Sequence, residues 1–187
     1  MKKTLNLLIV LFIGIILILY KLYDINKPQE SIYEAHHVPN KEFINQIEQK
    51  VIVTLTPEIK YSYDIMEKGV IQHLDRKYTY DYIPKELENG ILYQGVHQPI
   101  MGTSIHIELF ERAAIYFFFH SSVDGGYTEI FKNKKEWQEC YDTPKYDIEN
   151  GDHGLNMTMY KINADAGKYT IPATTKDRAC FNIVFQF

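Results

Sequence analysis

The sequence predicts one N-terminal transmembrane helix followed by a mainly-β domain, an antiparallel sandwich-like fold with one or two short helices. The first observation is the stretch at residues 5–20, which has no charge, no proline and one polar side chain, Asn6. The second is the abundance of aromatic residues, 15 tyrosines and 10 phenylalanines, which together with valine and isoleucine runs favour strands. The third is a series of short alternating segments separated by turn-prone residues, typical of antiparallel sandwiches and partly closed barrels.

The N-terminal stretch has the length and flanks of a membrane anchor. A helix over residues 5–20 spans about 24 Å, and residues 21–23 extend it toward the ~30 Å hydrocarbon core. No small-residue cleavage site follows, and the first alanine of the chain is Ala35. We therefore expect an uncleaved signal anchor, with a cleaved signal peptide as the alternative.

The basic residues set the predicted orientation. Lys2 and Lys3 precede the apolar stretch, and this arrangement keeps an N-terminus in the cytoplasm. The domain is then expected outside the cytoplasm, on the periplasmic or cell-surface side of a single-pass membrane protein. The predicted parts are a cytoplasmic tail at 1–4, a transmembrane signal anchor at 5–23, a polar tether at 24–40 and an extracytoplasmic β-rich domain at 41–187.

The domain is acidic. All 24 acidic residues follow Tyr23, whereas three of the 20 basic residues precede it. This charge argues against a nucleic-acid partner. The predicted partners are the lipid bilayer, through the N-terminal helix, and an envelope protein or a glycan.

The two cysteines, Cys140 and Cys180, both fall in the part placed in an oxidising compartment. Unpaired thiols are a hazard there, so the sequence favours a disulfide between them. Two separate buried thiols are the alternative.

The first part of the domain mixes helix and strand signals. Apolar residues at helical spacing predict a short amphipathic helix from Lys41, and the β-branched run that starts at Val51 predicts a strand at 51–55. Thr56 and Pro57 have the composition of a helix start, and an apolar stripe continues to residue 74. Strand-like alternation over residues 59–65 is the competing pattern.

Aromatic residues then mark the next strands. Tyr78, Tyr80 and Tyr82 alternate with polar residues and predict a strand that carries all three on one face. Such a face either stacks on sugars or forms an edge of the core. A short strand is expected at 91–93, followed by a loop at 95–102 that carries His97.

The second half predicts strands at 104–109, 115–119, 127–131, 155–160, 168–173 and 180–187. The strand at 115–119 is apolar on both faces, so we expect it at the centre of a doubly covered sheet. Asp124-Gly125-Gly126 is the turn before the strand at 127–131. Pro172 suits an edge strand.

The sequence Asp165-Ala166-Gly167-Lys168-Tyr169 resembles the tyrosine corner, Asp-x-Gly-x-Tyr, of immunoglobulin-like domains. The resemblance covers five residues, and Ile171 stands where those domains carry a cysteine. It implies that the Tyr169 hydroxyl bonds to the backbone just upstream, and it favours a sandwich.

The best candidates for a polar functional site are His120, Asp124, Asp152 and His153, which flank predicted strand ends. Such groups could bind zinc or activate a serine, but the sequence has no His-Glu-x-x-His motif, no Gly-x-Ser-x-Gly elbow and no glycine-rich phosphate loop. The pair His36 and His37 lies on the tether without a neighbouring ligand cluster. The sequence therefore assigns no catalytic residue, no cofactor and no metal ligand.

The function that this supports is a binding or structural role in the cell envelope for a membrane-anchored β-sandwich-like domain. The alternative is a membrane-anchored hydrolase or metal-dependent enzyme that uses His120, Asp124, Asp152 and His153.

Overall fold

The computed structural model describes residues 41–147, 157–176 and 179–187. The helices are α1 (Lys41–Glu48), α2 (Tyr127–Lys132) and a 3-10 turn at Lys85–Leu87. The strands are β1 (Val51–Thr56), β2 (Ser62–Ile65), β3 (Thr79–Tyr82), β4 (Ile91–Gln94), β5 (Ser104–Leu109), β6 (Ala113–His120), β7 (Gln138–Cys140), β8 (Lys145–Asp147), β9 (Met157–Ala164), β10 (Gly167–Ile171) and β11 (Phe181–Gln186).

The strands form three antiparallel sheets. The largest has the order β2-β4-β11-β6-β9-β7, the second has the order β1-β5-β10, and the third is the pair β3-β8. The prediction of a mainly-β antiparallel domain with one or two short helices is confirmed. The strand β10 lies at an edge, which fits Pro172 directly after it.

The main core lies between the six-stranded and three-stranded sheets. Val53 and Ile107 of the smaller sheet and Phe117 and Ile183 of the larger sheet belong to one cluster and are at most 1% exposed. Because strand side chains alternate between faces, these positions give each sheet a continuous apolar inner face. The two sheets therefore form the predicted sandwich.

A second core covers the outer face of the six-stranded sheet. Leu92, Phe118 and Val184 of that sheet pack in a cluster with Tyr80 of β3 and Tyr146 of β8. The six-stranded sheet is thus buried on both sides. The predicted doubly covered strand at 115–119 is confirmed as β6.

The helix predicted from Thr56 to residue 74 is wrong. This segment contains the strand β2, which pairs with β4, and Gly69 has a φ of +86° that a regular helix does not allow. The alternating pattern was the better guide because Tyr63 packs in the inter-sheet core.

The strand predicted at 127–131 is also wrong, because this segment forms the helix α2. The Asp124 carboxylate accepts a hydrogen bond from the Gly126 N–H at 3.0 Å, which organises the turn before the helix. Tyr127 and Phe131, one helical turn apart, both contact Phe117, with ring centroids 4.8 and 4.9 Å away. Packing of both rings against the core from one side of a short helix explains why the segment forms a helix and not a strand.

The three tyrosines predicted on one face of a strand do not share it. A register shift lies between Tyr80 and Tyr82 in the pairing of β3 with β8. As a result, Tyr80 is fully buried and Tyr82 is 42% exposed. An irregularity of this kind turns the following side chain to the other face.

The tyrosine corner forms as the resemblance implied. The Tyr169 hydroxyl donates to the Asp165 carbonyl at 2.8 Å. The five-residue segment lies where the chain passes from β9 of the larger sheet to β10 of the smaller one. The hydrogen bond therefore fixes a crossing between the two layers.

The predicted disulfide is wrong, because Cys140 and Cys180 are both free thiols. Cys180 directly precedes β11, whereas Cys140 ends β7, and β6 and β9 lie between those strands. At ~4.8 Å per strand the two are about 14 Å apart across the sheet, beyond the ~7 Å Cα separation that a disulfide spans.

The predicted anchor at 5–23 and tether at 24–40 lie outside the described residues. Within the described part of the chain, no helix has the length and apolar character needed to cross a membrane.

Candidate functional site

Buried polar side chains gather at one end of the outer face of the six-stranded sheet. The neighbouring strands β4, β11 and β6 bring Gln94, Asn182 and His120 to this end, where they are 2%, 0% and 9% exposed. Polar groups buried at this level normally need hydrogen-bond partners. This end of the sheet is therefore the candidate functional site.

The segment that follows β2 covers this polar end. The Asn182 side-chain amide donates to the Gln72 carbonyl at 2.8 Å, and the Gln94 side-chain amide donates to the Ile71 carbonyl. These two bonds fasten the covering segment to β11 and β4. They also place the next residue, His73, against the sheet.

Three metal-ligating side chains converge there. His73 Nε2 lies 3.1 Å from Cys180 Sγ, and the His73 and His97 rings are 5.1 Å apart. One ligand atom from each of the three residues lies within 4.8 Å of the others. Around one Zn²⁺, nitrogen and sulfur ligands are about 3.5 Å apart, so small side-chain adjustments suffice for all three to bind one ion.

Burial keeps the three groups uncharged. The pKa of His73 is lowered well below its ordinary value by burial, with His97 and Arg76 contributing. Burial, followed by Arg76, lowers the pKa of His97 to about 4, although Asp75 opposes the shift. Burial, followed by Asp75, raises the pKa of the Cys180 thiol to about 12.

These pKa shifts favour metal binding over nucleophilic catalysis by Cys180. A cysteine nucleophile needs a thiolate, commonly stabilised by a charged histidine. At this site the free Cys180 thiol is protonated and both neighbouring imidazoles are neutral. Neutral imidazoles are ready metal ligands, and a bound metal ion is what deprotonates a coordinating thiol.

The same end of the sheet holds most of the unpartnered polar atoms. Within the described residues, eight buried side-chain nitrogen and oxygen atoms have no hydrogen-bond partner. Six of them belong to this cluster: Gln72 Nε2 and Oε1, His73 Nδ1, Tyr80 Oη, His97 Nδ1 and Asn182 Oδ1. Each such atom costs about 1–3 kcal/mol if it stays unpaired, so the cluster favours a polar occupant.

A hydrogen bond to Asp75 holds the loop that carries His97. The Asp75 carboxylate accepts a hydrogen bond from the His97 backbone N–H at 2.7 Å, and Arg76 Nη1 lies 3.2 Å from the same carboxylate. Asp75 therefore orients the loop and is already engaged by these two donors.

The residues singled out in the sequence fall elsewhere or at the margin. Asp152 and His153, like His36 and His37, lie outside the described residues. His120 ends β6 with its ring 4.8 Å from that of Tyr146, and burial lowers its pKa.

The other described candidate, Asp124, serves the turn before α2. Burial raises the pKa of Asp124, but hydrogen bonds from Gly126 and Thr128 outweigh it and leave the pKa below its ordinary value. The Asp124 carboxylate therefore has a local structural role in this turn.

Sequence reasoning missed the cluster because its members are far apart in the chain. The sequence pattern presents Cys180 as half of a disulfide or as a separate buried thiol and His97 as a loop residue, and no short motif links them. The available signal was strand alternation: Phe181 and Ile183 face the core, so Cys180 and Asn182 face the other way.

No protein-family model matches the sequence, and no curated protein does either. Among solved structures, the chain is similar to a β-glucuronidase from glycoside hydrolase family 2, at 13% identity and a TM-score of 0.52, over 72% of this chain and 14% of that one. It is also similar to a GH138 enzyme targeting pectin rhamnogalacturonan II, at 11% identity and a TM-score of 0.45, over 70% of this chain and 16% of that one. The chain thus spans only a small part of either protein. The first likeness supports the β-sandwich fold and nothing more specific.

Proposed function

We propose that this domain is a metal-binding β-sandwich that holds one Zn²⁺ ion through His73, His97 and Cys180. The observation that carries the proposal is the convergence of their three ligand atoms within 4.8 Å in a largely buried site. One thiolate and two imidazoles are ligands that zinc prefers. Binding would displace the Cys180 proton into solvent.

The ion would join separate parts of the chain. His73 lies on the segment that follows β2, His97 on the loop after β4, and Cys180 beside the first residue of β11. A shared metal would fasten both covering segments to the central strand. This supports a binding or structural role over nucleophilic catalysis, because the thiol is consumed as a ligand.

The proposed location of the domain follows from the N-terminal sequence. The stretch at 5–20 and the basic residues before it support a single-pass protein whose domain lies outside the cytoplasm. We propose that the domain serves there as a binding module for an envelope protein or a glycan. Fold likeness to part of a β-glucuronidase is compatible with a glycan ligand.

The metal proposal is tested by elemental analysis of the full chain purified without chelators. We expect one zinc per chain in the wild type, and large losses in His73→Ala and Cys180→Ser. His106→Ala is the matched control, because His106 is exposed on β5 and should keep its zinc. Zinc-free wild-type protein that also fails to take up added Zn²⁺ would overturn the proposal.

Copper is the informative competitor. A site of two histidines, one cysteine and a nearby amide oxygen also occurs in blue-copper proteins, and the buried side chain of Gln72, which precedes His73, has such an oxygen. Stoichiometric copper with an intense blue thiolate-to-copper band would overturn the choice of zinc while retaining the three ligands.

A further inference from the structure

We propose that the fourth coordination position of this centre is taken by a water molecule held by Tyr80, Gln72 and Asn182. The inference rests on the proposed metal function. Three protein ligands leave one position of a tetrahedral zinc site unfilled. What fills it separates a closed structural site from one that can exchange a ligand.

The three holding residues are fully buried and have unsatisfied polar atoms. Tyr80, Gln72 and Asn182 are each 0% exposed. The unpaired atoms are the Tyr80 hydroxyl, both ends of the Gln72 amide and Asn182 Oδ1. They provide donors and acceptors together, which suits water, since a buried water typically makes two to four such bonds.

These residues are close to the proposed ligands in the chain or in the fold. Gln72 immediately precedes His73, and Asn182 lies two residues from Cys180 on the same face of the strand. The Tyr80 hydroxyl is within weak hydrogen-bonding reach of the Gln72 side chain, although neither makes a regular hydrogen bond, and Tyr80 interacts electrostatically with Cys180. All three residues thus adjoin the ligand cluster, and Tyr80 does so from the second core.

Other occupants of the fourth position are less well placed. The Asp75 carboxylate is engaged by the His97 N–H and by Arg76. His120 is the stronger protein alternative, because Phe119 pairs with Phe181 and the next residues, His120 and Cys180, are therefore neighbours. Its ring, however, packs on Tyr146, and its Nδ1 lies 3.4 Å from Ser122 Oγ.

Cobalt-loaded full-length protein in detergent provides the test, with azide as the probe. Azide replaces a bound water and shifts the visible cobalt spectrum, but it does not displace a tightly held protein ligand. We expect the wild-type spectrum to shift on azide addition. In Tyr80→Phe we expect azide to bind about tenfold more weakly, because one hydrogen bond to a charged ligand is lost.

The chain offers a matched control in Tyr93→Phe. Tyr93 also has a buried, unpaired hydroxyl, but it lies in the inter-sheet core. This variant should bind azide like the wild type, as should His120→Ala.

Two results would overturn the inference while leaving the metal site intact. One is a wild-type spectrum that azide does not change but that becomes sensitive in His120→Ala, which would make His120 the fourth ligand. The other is equal azide affinity in Tyr80→Phe and Tyr93→Phe. Failure to bind cobalt at all would instead overturn the proposed function, and the inference with it.

Discussion

His73 Nε2 lies 3.1 Å from Cys180 Sγ although the two residues are 107 positions apart in the chain. The contact joins the segment that covers the outer face of the large sheet to the central strand β11. Both side chains are fully or almost fully buried, so the pair is shielded from solvent. The two residues are two of the three proposed metal ligands.

The inter-sheet core should depend strongly on Phe117. Its ring lies within 5.5 Å of those of Tyr127, Phe131 and Phe181. We expect Phe117→Ala to lower the free energy of unfolding by about 3–5 kcal/mol, through lost burial and a cavity. The control Phe110→Ala removes a ring that is 49% exposed and should cost less than about 0.5 kcal/mol in the same urea titration. Similar losses for both variants would contradict the described core.

The tyrosine corner should contribute measurably to stability. Tyr169→Phe removes the hydrogen bond to the Asp165 carbonyl and should lower the free energy of unfolding by about 1 kcal/mol. Tyr141 is 94% exposed, so Tyr141→Phe should change nothing in the same thermal or chemical denaturation. A Tyr169→Phe variant as stable as the wild type would show that the corner contributes no net stability.

Both cysteines should be free thiols. We expect two titratable thiols per chain in denaturant without reductant, because Cys140 and Cys180 are unbridged. In folded, metal-stripped protein Cys180 should react far more slowly with a maleimide than Cys140, since it is more deeply buried and its pKa is raised to about 12, against about 11 for Cys140. Loss of both thiols to a disulfide in the purified protein would contradict the structure.

Stability should fall at alkaline pH because several tyrosines are buried. Burial raises the pKa of Tyr63, Tyr93 and Tyr127, which are fully or almost fully buried. Partial burial, aided by a hydrogen bond to Glu48, raises the pKa of Tyr61, which is 37% exposed, to about 12. Below pH 10 both states are protonated and the stabilisation is fully present. Above it the unfolded state loses protons first, so stability declines as the pH rises toward the folded-state values.

Urea titrations from about pH 8 to about pH 11, read beside phenolate absorbance, measure this effect. The buried tyrosines should ionise only as the protein unfolds. Ordinary phenol titration in the native protein, with unchanged stability, would contradict the described burial.

The local hydrophobic pattern of the sequence predicted most strands of the sandwich, but it did not predict the helix α2. The alternation in β5 and the continuous apolar run in β6 were decisive because a strand's environment sets its pattern directly. Tyr127 and Phe131 fit either a strand or a helical turn, and contact with Phe117 made the choice. Such contacts between distant segments are not visible in a local pattern.

The candidate site was missed for a related physical reason. His73, His97 and Cys180 come together only through the pairing of β4 with β11 and through the segment that covers the sheet. Neither the pairing nor the covering follows from spacing along the chain. The proposed ligands are therefore brought together by long-range pairing, whereas His120 and Asp124 stand out through their local sequence alone.

Zinc K-edge X-ray absorption on the full-length, zinc-loaded protein tests the central claim most directly, because it reports the atoms bound to the metal. We expect one sulfur at about 2.3 Å and imidazole nitrogens at about 2.0–2.1 Å, and we expect the sulfur shell to vanish in Cys180→Ser. A wild-type spectrum with only oxygen and nitrogen neighbours would contradict a centre built on His73, His97 and Cys180.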